Sequence, residues 1–191
     1  MEALLTSTVI VALAEIGDKT QLLAMVLAAR FRKPVPIAAG ILLATIANHF
    51  LAALAGYYVA GLLEGAWFRY AVGLSFIAMA AWTLVPDKLD DDERQGISGA
   101  GAFLTTLVAF FLVEIGDKTQ IATVALAARF EAVVMVTIGT TIGMLLANVP
   151  VIYLGDKLVS RLPLNAVRIG AALLFLMLGL WVIYAAATAQ A

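Results

Sequence analysis

The chain has 191 residues, 63% of them hydrophobic and only 13% charged, with a formal net charge of −1. A soluble domain carries about 25% charged residues, so this composition, with a mean hydropathy of +1.02, excludes an ordinary soluble enzyme. The lack of any basic stripe excludes nucleic acid as a partner, and the absence of cysteine beside a single histidine removes disulfides, thiolate chemistry and a His-rich zinc site.

In chain order, six apolar segments stand out, at residues 3–29, 35–60, 66–85, 100–128, 132–154 and 166–188. Each suffices for a helix of about 20 residues to cross a hydrocarbon core about 30 Å thick. The fold predicted is all-α: a polytopic membrane protein with six transmembrane helices. The first segment has Glu2 and no Lys or Arg before Ala12-Leu13-Ala14. A cleaved signal needs a positive start, so residues 1–14 read as half of a retained helix. It closes at the basic turn Arg30-Phe31-Arg32-Lys33-Pro34. The second segment carries Asn48 and His49; the third runs from Trp67 and Arg69 to Trp82 and Pro86, its tryptophans suited to the membrane interface. A hydrophilic linker follows at 87–99.

The second half repeats the first. Glu15-Ile16-Gly17-Asp18-Lys19-Thr20-Gln21 recurs letter for letter as Glu114-Ile115-Gly116-Asp117-Lys118-Thr119-Gln120. The same step of 99 residues pairs Gly40 with Gly139, Arg69 with Arg168, Phe76 with Phe175 and Trp82 with Trp181, while Asn48 meets Asn148 after a one-residue slip. Residues 1–86 form one repeat of three helices and 100–191 the other. Three is odd, so the second repeat inserts upside down: a 3+3 inverted repeat, the plan of many secondary transporters. Loops 1–2, 3–4 and 5–6 with their flanks hold Arg30, Arg32, Lys33, Lys88, Arg94, Lys157, Arg161 and Arg168, against Arg69 and Arg129 on the other side. The positive-inside rule puts the linker in the cytoplasm and both termini outside.

Ionisable groups deep in a membrane cost roughly 2.5–3.5 kcal/mol each and mark a transport pathway. On a continuous helix Glu15 and Asp18 share a face, as do Glu114 and Asp117. Brought together, the two copies offer four carboxylates as metal ligands, with Thr20, Gln21, Thr119 and Gln120 as further oxygen donors. Such a cage suits hard or borderline divalent cations. Gly17 and Gly116 permit close approach or local unwinding. Lys19 and Lys118 either partly neutralise the site or form orienting ion pairs. Asn48 and Asn148 suit interhelical hydrogen bonds more than coordination, and His49, without a counterpart, suits packing more than proton relay. Clustered carboxylates also invite protons, so metal and proton can compete for one site.

Two E-x-G-D-K-T motifs in this setting resemble the Golgi, chloroplast and bacterial family of manganese/calcium transporters. The resemblance covers essentially the whole chain and reaches Glu15, Gly17, Asp18, Lys19 and Thr20, then Glu114, Gly116, Asp117, Lys118 and Thr119. It implies cation transport, with the motif carboxylates as ligands, and exchange for protons. For short members like this one it suggests Mn2+ export across a bacterial plasma membrane, with Ca2+ the other candidate. The metal would be substrate, and no cofactor is implied. The rival readings are an intramembrane hydrolase using paired carboxylates and an exporter of a small organic cation.

Overall fold

A computed structural model describes residues 1–63, 66–86, 101–154 and 163–188. These form eight helices: α1 (Glu2–Glu15), α2 (Lys19–Phe31), α3 (Pro34–Leu62), α4 (Ala66–Thr83), α5 (Ala102–Glu114), α6 (Lys118–Phe130), α7 (Val133–Leu154) and α8 (Leu164–Thr188). The charged linker expected at 87–99 lies outside the described residues.

Four of the apolar segments correspond to single helices, but the first and fourth do not. Each breaks at its motif. α1 stops at Glu15, Gly17 takes φ +81°, and α2 restarts with Asp18 at its N-cap. The second copy repeats this around Gly116, at φ +76°, with Asp117 at the N-cap of α6. A positive φ is cheap for glycine and strained for other residues, and aspartate favours the N-cap. The shared helical face expected for Glu15 and Asp18 therefore does not exist: one ends a helix and the other begins the next. Three helices, α3, α7 and α8, are by length and composition able to cross a membrane; α5 is a shorter apolar helix.

The interior is polar where it matters and the exterior is apolar. Ser7, Glu15, Thr20, Gln21, Thr45, Asn48, His49, Glu114, Thr119, Thr140 and Asn148 are buried, whereas Leu5, Phe50, Leu51, Trp67, Leu112, Leu146, Leu173, Met177 and Tyr184 face outward. Water would not tolerate so much exposed apolar surface, but lipid does. α3 packs on α5, α6 and α7, α1 packs on α7, and α4 pairs with α8.

Glycines set these close approaches, and they do so reciprocally. A Cβ on Gly40 would stand 2.8 Å from the Phe103 carbonyl oxygen and from Cβ of Thr106; one on Gly139 would stand 2.5 Å from the Leu4 carbonyl oxygen and 3.0 Å from Cβ of Ser7. All three pairings carry the step of 99. Phe76 and Phe175, also 99 apart, stack on each other at 6.4 Å between centroids. Arg32 and Glu131 share the left-handed conformation that ends α2 and α6, each amide bonding four residues back.

A stability test follows from Gly56, whose added Cβ would lie 2.2 Å from the Val124 carbonyl oxygen of α6, while one on Gly61, in the same helix, meets nothing within 4 Å among the described residues. Overpacking of this kind costs about 1–3 kcal/mol or more. Gly56→Ala is expected to lower the melting temperature in detergent by about 5 °C or more. Gly61→Ala is expected to leave it unchanged or slightly raised, because alanine is the better helix former. Equal melting curves for both variants would remove the α3–α6 contact as the reason for Gly56.

Candidate metal centre

The two helix breaks meet in the interior. Carboxylate oxygens of Glu15, Glu114 and Asp117, all buried, lie within 4.8 Å of one another. One residue ends α1, one ends α5 and one caps α6, so both repeats contribute. At that separation, two unit charges repel by about 3.5 kcal/mol or more at an effective dielectric constant near 20. Three ionised carboxylates therefore call for a cation or for protons. Lys19 supplies part of the answer, its Nζ 3.8 Å from Asp117 Oδ1.

The surrounding side chains fix one oxygen of each glutamate and leave the other. Thr20 Oγ1 and Asn148 Nδ2, the latter at 3.2 Å, donate to Glu15 Oε2. Thr119 Oγ1 lies 3.4 Å from Glu114 Oε2 and 3.3 Å from Asp117 Oδ2. Glu15 Oε1, Glu114 Oε1 and Asn148 Oδ1 are buried and have no hydrogen-bond partner among the described residues. Buried polar atoms are nearly always paired, so three unpartnered acceptors around one carboxylate group fit a cation that supplies what the protein does not. The helix ends add to this: the negative poles of α1 and α5 and the unwound carbonyls beside them favour positive charge.

The other expected donors take different places. Gln21 accepts from the Gly17 amide at 2.9 Å and donates to the Ala147 carbonyl at 3.0 Å. Gln120 accepts from the Gly116 amide at 2.7 Å and donates to Asn48 Oδ1. Both carboxamides staple the broken turns to the neighbouring long helix. Asn48 is likewise engaged, its Nδ2 donating to the Phe111 carbonyl at 3.0 Å. Thus Asn48 and Asn148 do not play equivalent parts.

Asp18 is the fourth motif carboxylate, and it is not in the group of three. It is buried and accepts from the Lys19 amide at 2.6 Å. Asp117 makes no such cap bond and faces the carboxylates instead. The lysines differ in the contacts seen: Lys118 Nζ donates to the Val85 carbonyl at 2.8 Å, whereas Lys19 Nζ faces Asp117. Gly17 lies under Leu164 and Arg168 of α8, while Gly116 has nothing comparable within 4 Å among the described residues.

His49 is the residue that sequence reasoning left outside the site. It is fully buried, and its Nε2 lies 3.4 Å from Glu114 Oε2. A strict step of 99 pairs His49 with Asn148, and the structure places each against the motif glutamate of the opposite repeat. The one-residue slip that matched the two asparagines is thereby corrected, and His49 does have a counterpart. Holding the register constant through α3 and α7 is the signal that finds it.

A separate cavity of about 440 Å³ is lined by Arg69, Arg129 and Glu131 with Leu63, Phe68 and Val72, and contains no motif residue. Two guanidinium groups make it a poor seat for a cation.

Comparison with known proteins places the chain among cation transporters. The profile described as divalent cation/proton antiporter GDT1 matches the chain twice, over residues 3–91 and 102–190. Both bounds shift by the same 99 residues that separate the motifs. A protein of Vibrio cholerae serotype O1, described as a candidate manganese exporter, is 51% identical over 94% of this chain and 90% of its own length. GDT1-like protein 5 of Arabidopsis thaliana is 28% identical over 88% of this chain and 89% of its own length, and GDT1-like protein 4 of Oryza sativa subsp. japonica is 28% identical over 92% and 70%. No solved structure matches the chain. With both halves matched and an apolar exterior around a carboxylate centre, this integral membrane protein belongs to the GDT1 family of divalent cation/proton antiporters.

Proposed function

We propose that the chain exports Mn2+ from a bacterial cytoplasm in exchange for protons. In this reading it crosses the plasma membrane six times as a 3+3 inverted repeat, with both termini outside. The observation that carries the reading is the convergence of Glu15, Glu114 and Asp117 within 4.8 Å, each glutamate keeping one buried oxygen unpartnered. Six crossings require α1 with α2, and α5 with α6, to act as two broken spans meeting at the motif. The reciprocal glycine contacts and the doubled family match support that arrangement.

The chemistry follows from charge. A divalent ion offsets most of the charge on three carboxylates; without it, protons and Lys19 must do so, because an uncompensated buried charge is strongly unfavourable. Metal and protons then compete for the same oxygens. A carrier that changes face only when its site is neutralised exchanges one for the other. The group is the size of a single ion's ligand shell, which favours an inorganic ion over an organic cation. Oxygen donors serve Mn2+ and Ca2+ alike; Mn2+ is favoured here by likeness to the Vibrio relative. The tight carboxylate group is read as a transport site rather than a hydrolytic one.

The experiment is Mn2+ flux in liposomes containing only this protein, at zero membrane potential, with internal pH recorded. Mn2+ entry is expected to drive proton exit, and an imposed pH gradient to drive Mn2+ uphill. Lowering pH on the binding side should weaken apparent affinity, by about tenfold per pH unit for each proton the metal displaces, since protonated carboxylates are poor ligands. Flux that neither moves protons nor responds to the gradient would leave a uniporter. Hydrolysis without flux would favour the enzyme reading.

A further inference from the structure

His49 and Asn148 are unlike residues in matching seats of the two repeats. Asn148 and His49 occupy matching positions on α7 and α3, both fully buried, each reaching the glutamate that ends the opposite broken helix: 3.2 Å from Asn148 Nδ2 to Glu15 Oε2, and 3.4 Å from His49 Nε2 to Glu114 Oε2. We propose that His49 is a ligand of the transported ion through Nε2, and that this nitrogen sets the preference for Mn2+ over Ca2+ and Mg2+. The inference rests on the reading that the carboxylate group binds that ion.

Three observations carry it. First, the ring has 0% exposure, and its Nδ1 has no hydrogen-bond partner among the described residues. The Glu114 carboxylate is the polar neighbour of Nε2; with the ring proton on Nδ1, Nε2 presents its lone pair beside that carboxylate, and a cation between them removes the repulsion. Second, two bonds of about 2.1–2.5 Å at a right angle hold their ligand atoms roughly 3.0–3.5 Å apart. The 3.4 Å between His49 Nε2 and Glu114 Oε2 is the spacing of adjacent ligands on one ion, and is long for a hydrogen bond. Third, imidazole discriminates where carboxylates do not. Calcium and magnesium prefer oxygen, whereas first-row transition ions accept nitrogen readily. Trading one oxygen donor for nitrogen in an otherwise oxygen-lined site penalises the two hard cations more than Mn2+.

The chain holds a single histidine, which makes the test direct when the protein is purified without a histidine tag. Pulsed electron paramagnetic resonance of the Mn2+-loaded protein is expected to show coupling to an imidazole 14N nucleus, replaced by the 15N pattern when the protein is grown on 15N-histidine. This readout needs no mutation. In parallel, His49→Asn, which copies the side chain of the opposite repeat, should lose the coupling. It should bind Mn2+ about tenfold more weakly and Ca2+ within about twofold of the parent, with His49→Gln as a second variant. Bound Mn2+ without nitrogen coupling, or an equal loss for both ions, would overturn the proposal while leaving Mn2+ transport intact. Mn2+ binding that survives Glu114→Gln unchanged would overturn the carboxylate site itself, and His49 as its ligand with it.

Discussion

Glu114→Gln is expected to abolish Mn2+ transport in liposomes, with a fall of at least about a hundredfold, while the protein still inserts and purifies normally. The side chain is fully buried, stands within 4.8 Å of two other carboxylates, and keeps one oxygen without a partner. The substitution retains volume but removes the charge, and it replaces one acceptor with an amide donor that a cation repels. Loss of groups that merely orient a ligand costs about 10–100-fold in metal affinity, and a ligand is worth at least that. Glu15→Gln should behave the same way, since its environment is the reciprocal one. Undiminished flux in either variant would remove that glutamate from the site.

Asp117→Asn and Asp18→Asn are expected to stop turnover alike and yet differ in binding. Asp117 stands with the two glutamates and carries Lys19, while Asp18 caps α2 and Lys118 reaches the Val85 carbonyl. If the carrier changes face by exchanging the parts of its two copies, Asp18 must take the place of Asp117, and Lys118 that of Lys19. Asp117→Asn should then lower Mn2+ affinity in detergent by about a hundredfold. Asp18→Asn should bind within about threefold of the parent and fail only in flux. Equal binding losses would mean that all four carboxylates hold the ion at once, and wild-type flux in Asp18→Asn would exclude any exchange of roles.

Much of this site is legible in the letters, because a buried charge is expensive enough that two copies of the same heptapeptide in apolar runs need a reason. The break in each run is harder to see. Hydropathy averages over Ile16-Gly17-Asp18 and reports one long segment, although glycine followed by aspartate, with glutamine three residues on, is itself a helix-start pattern. What hydropathy misses is that Gln21 and Gln120 bond to the glycine amides and hold the turn open. The distinction between Asp18 and Asp117 is not legible in the two identical heptapeptides, because it comes from what packs around each of them. The sequence reading of His49 as a packing residue has a different cause: matching like with like pairs Asn48 with Asn148, whereas the backbone register places unlike residues in equivalent seats.

The reciprocal glycine seats make the contact between the halves isologous, as in a two-fold dimer, except that the two partners are one chain. Gly40 receives Thr106 as Gly139 receives Ser7, so each half already presents the surface the other needs. In a dimer of identical subunits, any change of residue at the centre is made twice, and the ion always sees matched pairs. Covalent fusion lifts that constraint. It lets the centre hold one imidazole opposite one carboxamide, His49 facing Glu114 and Asn148 facing Glu15, a combination that no symmetric homodimer can build.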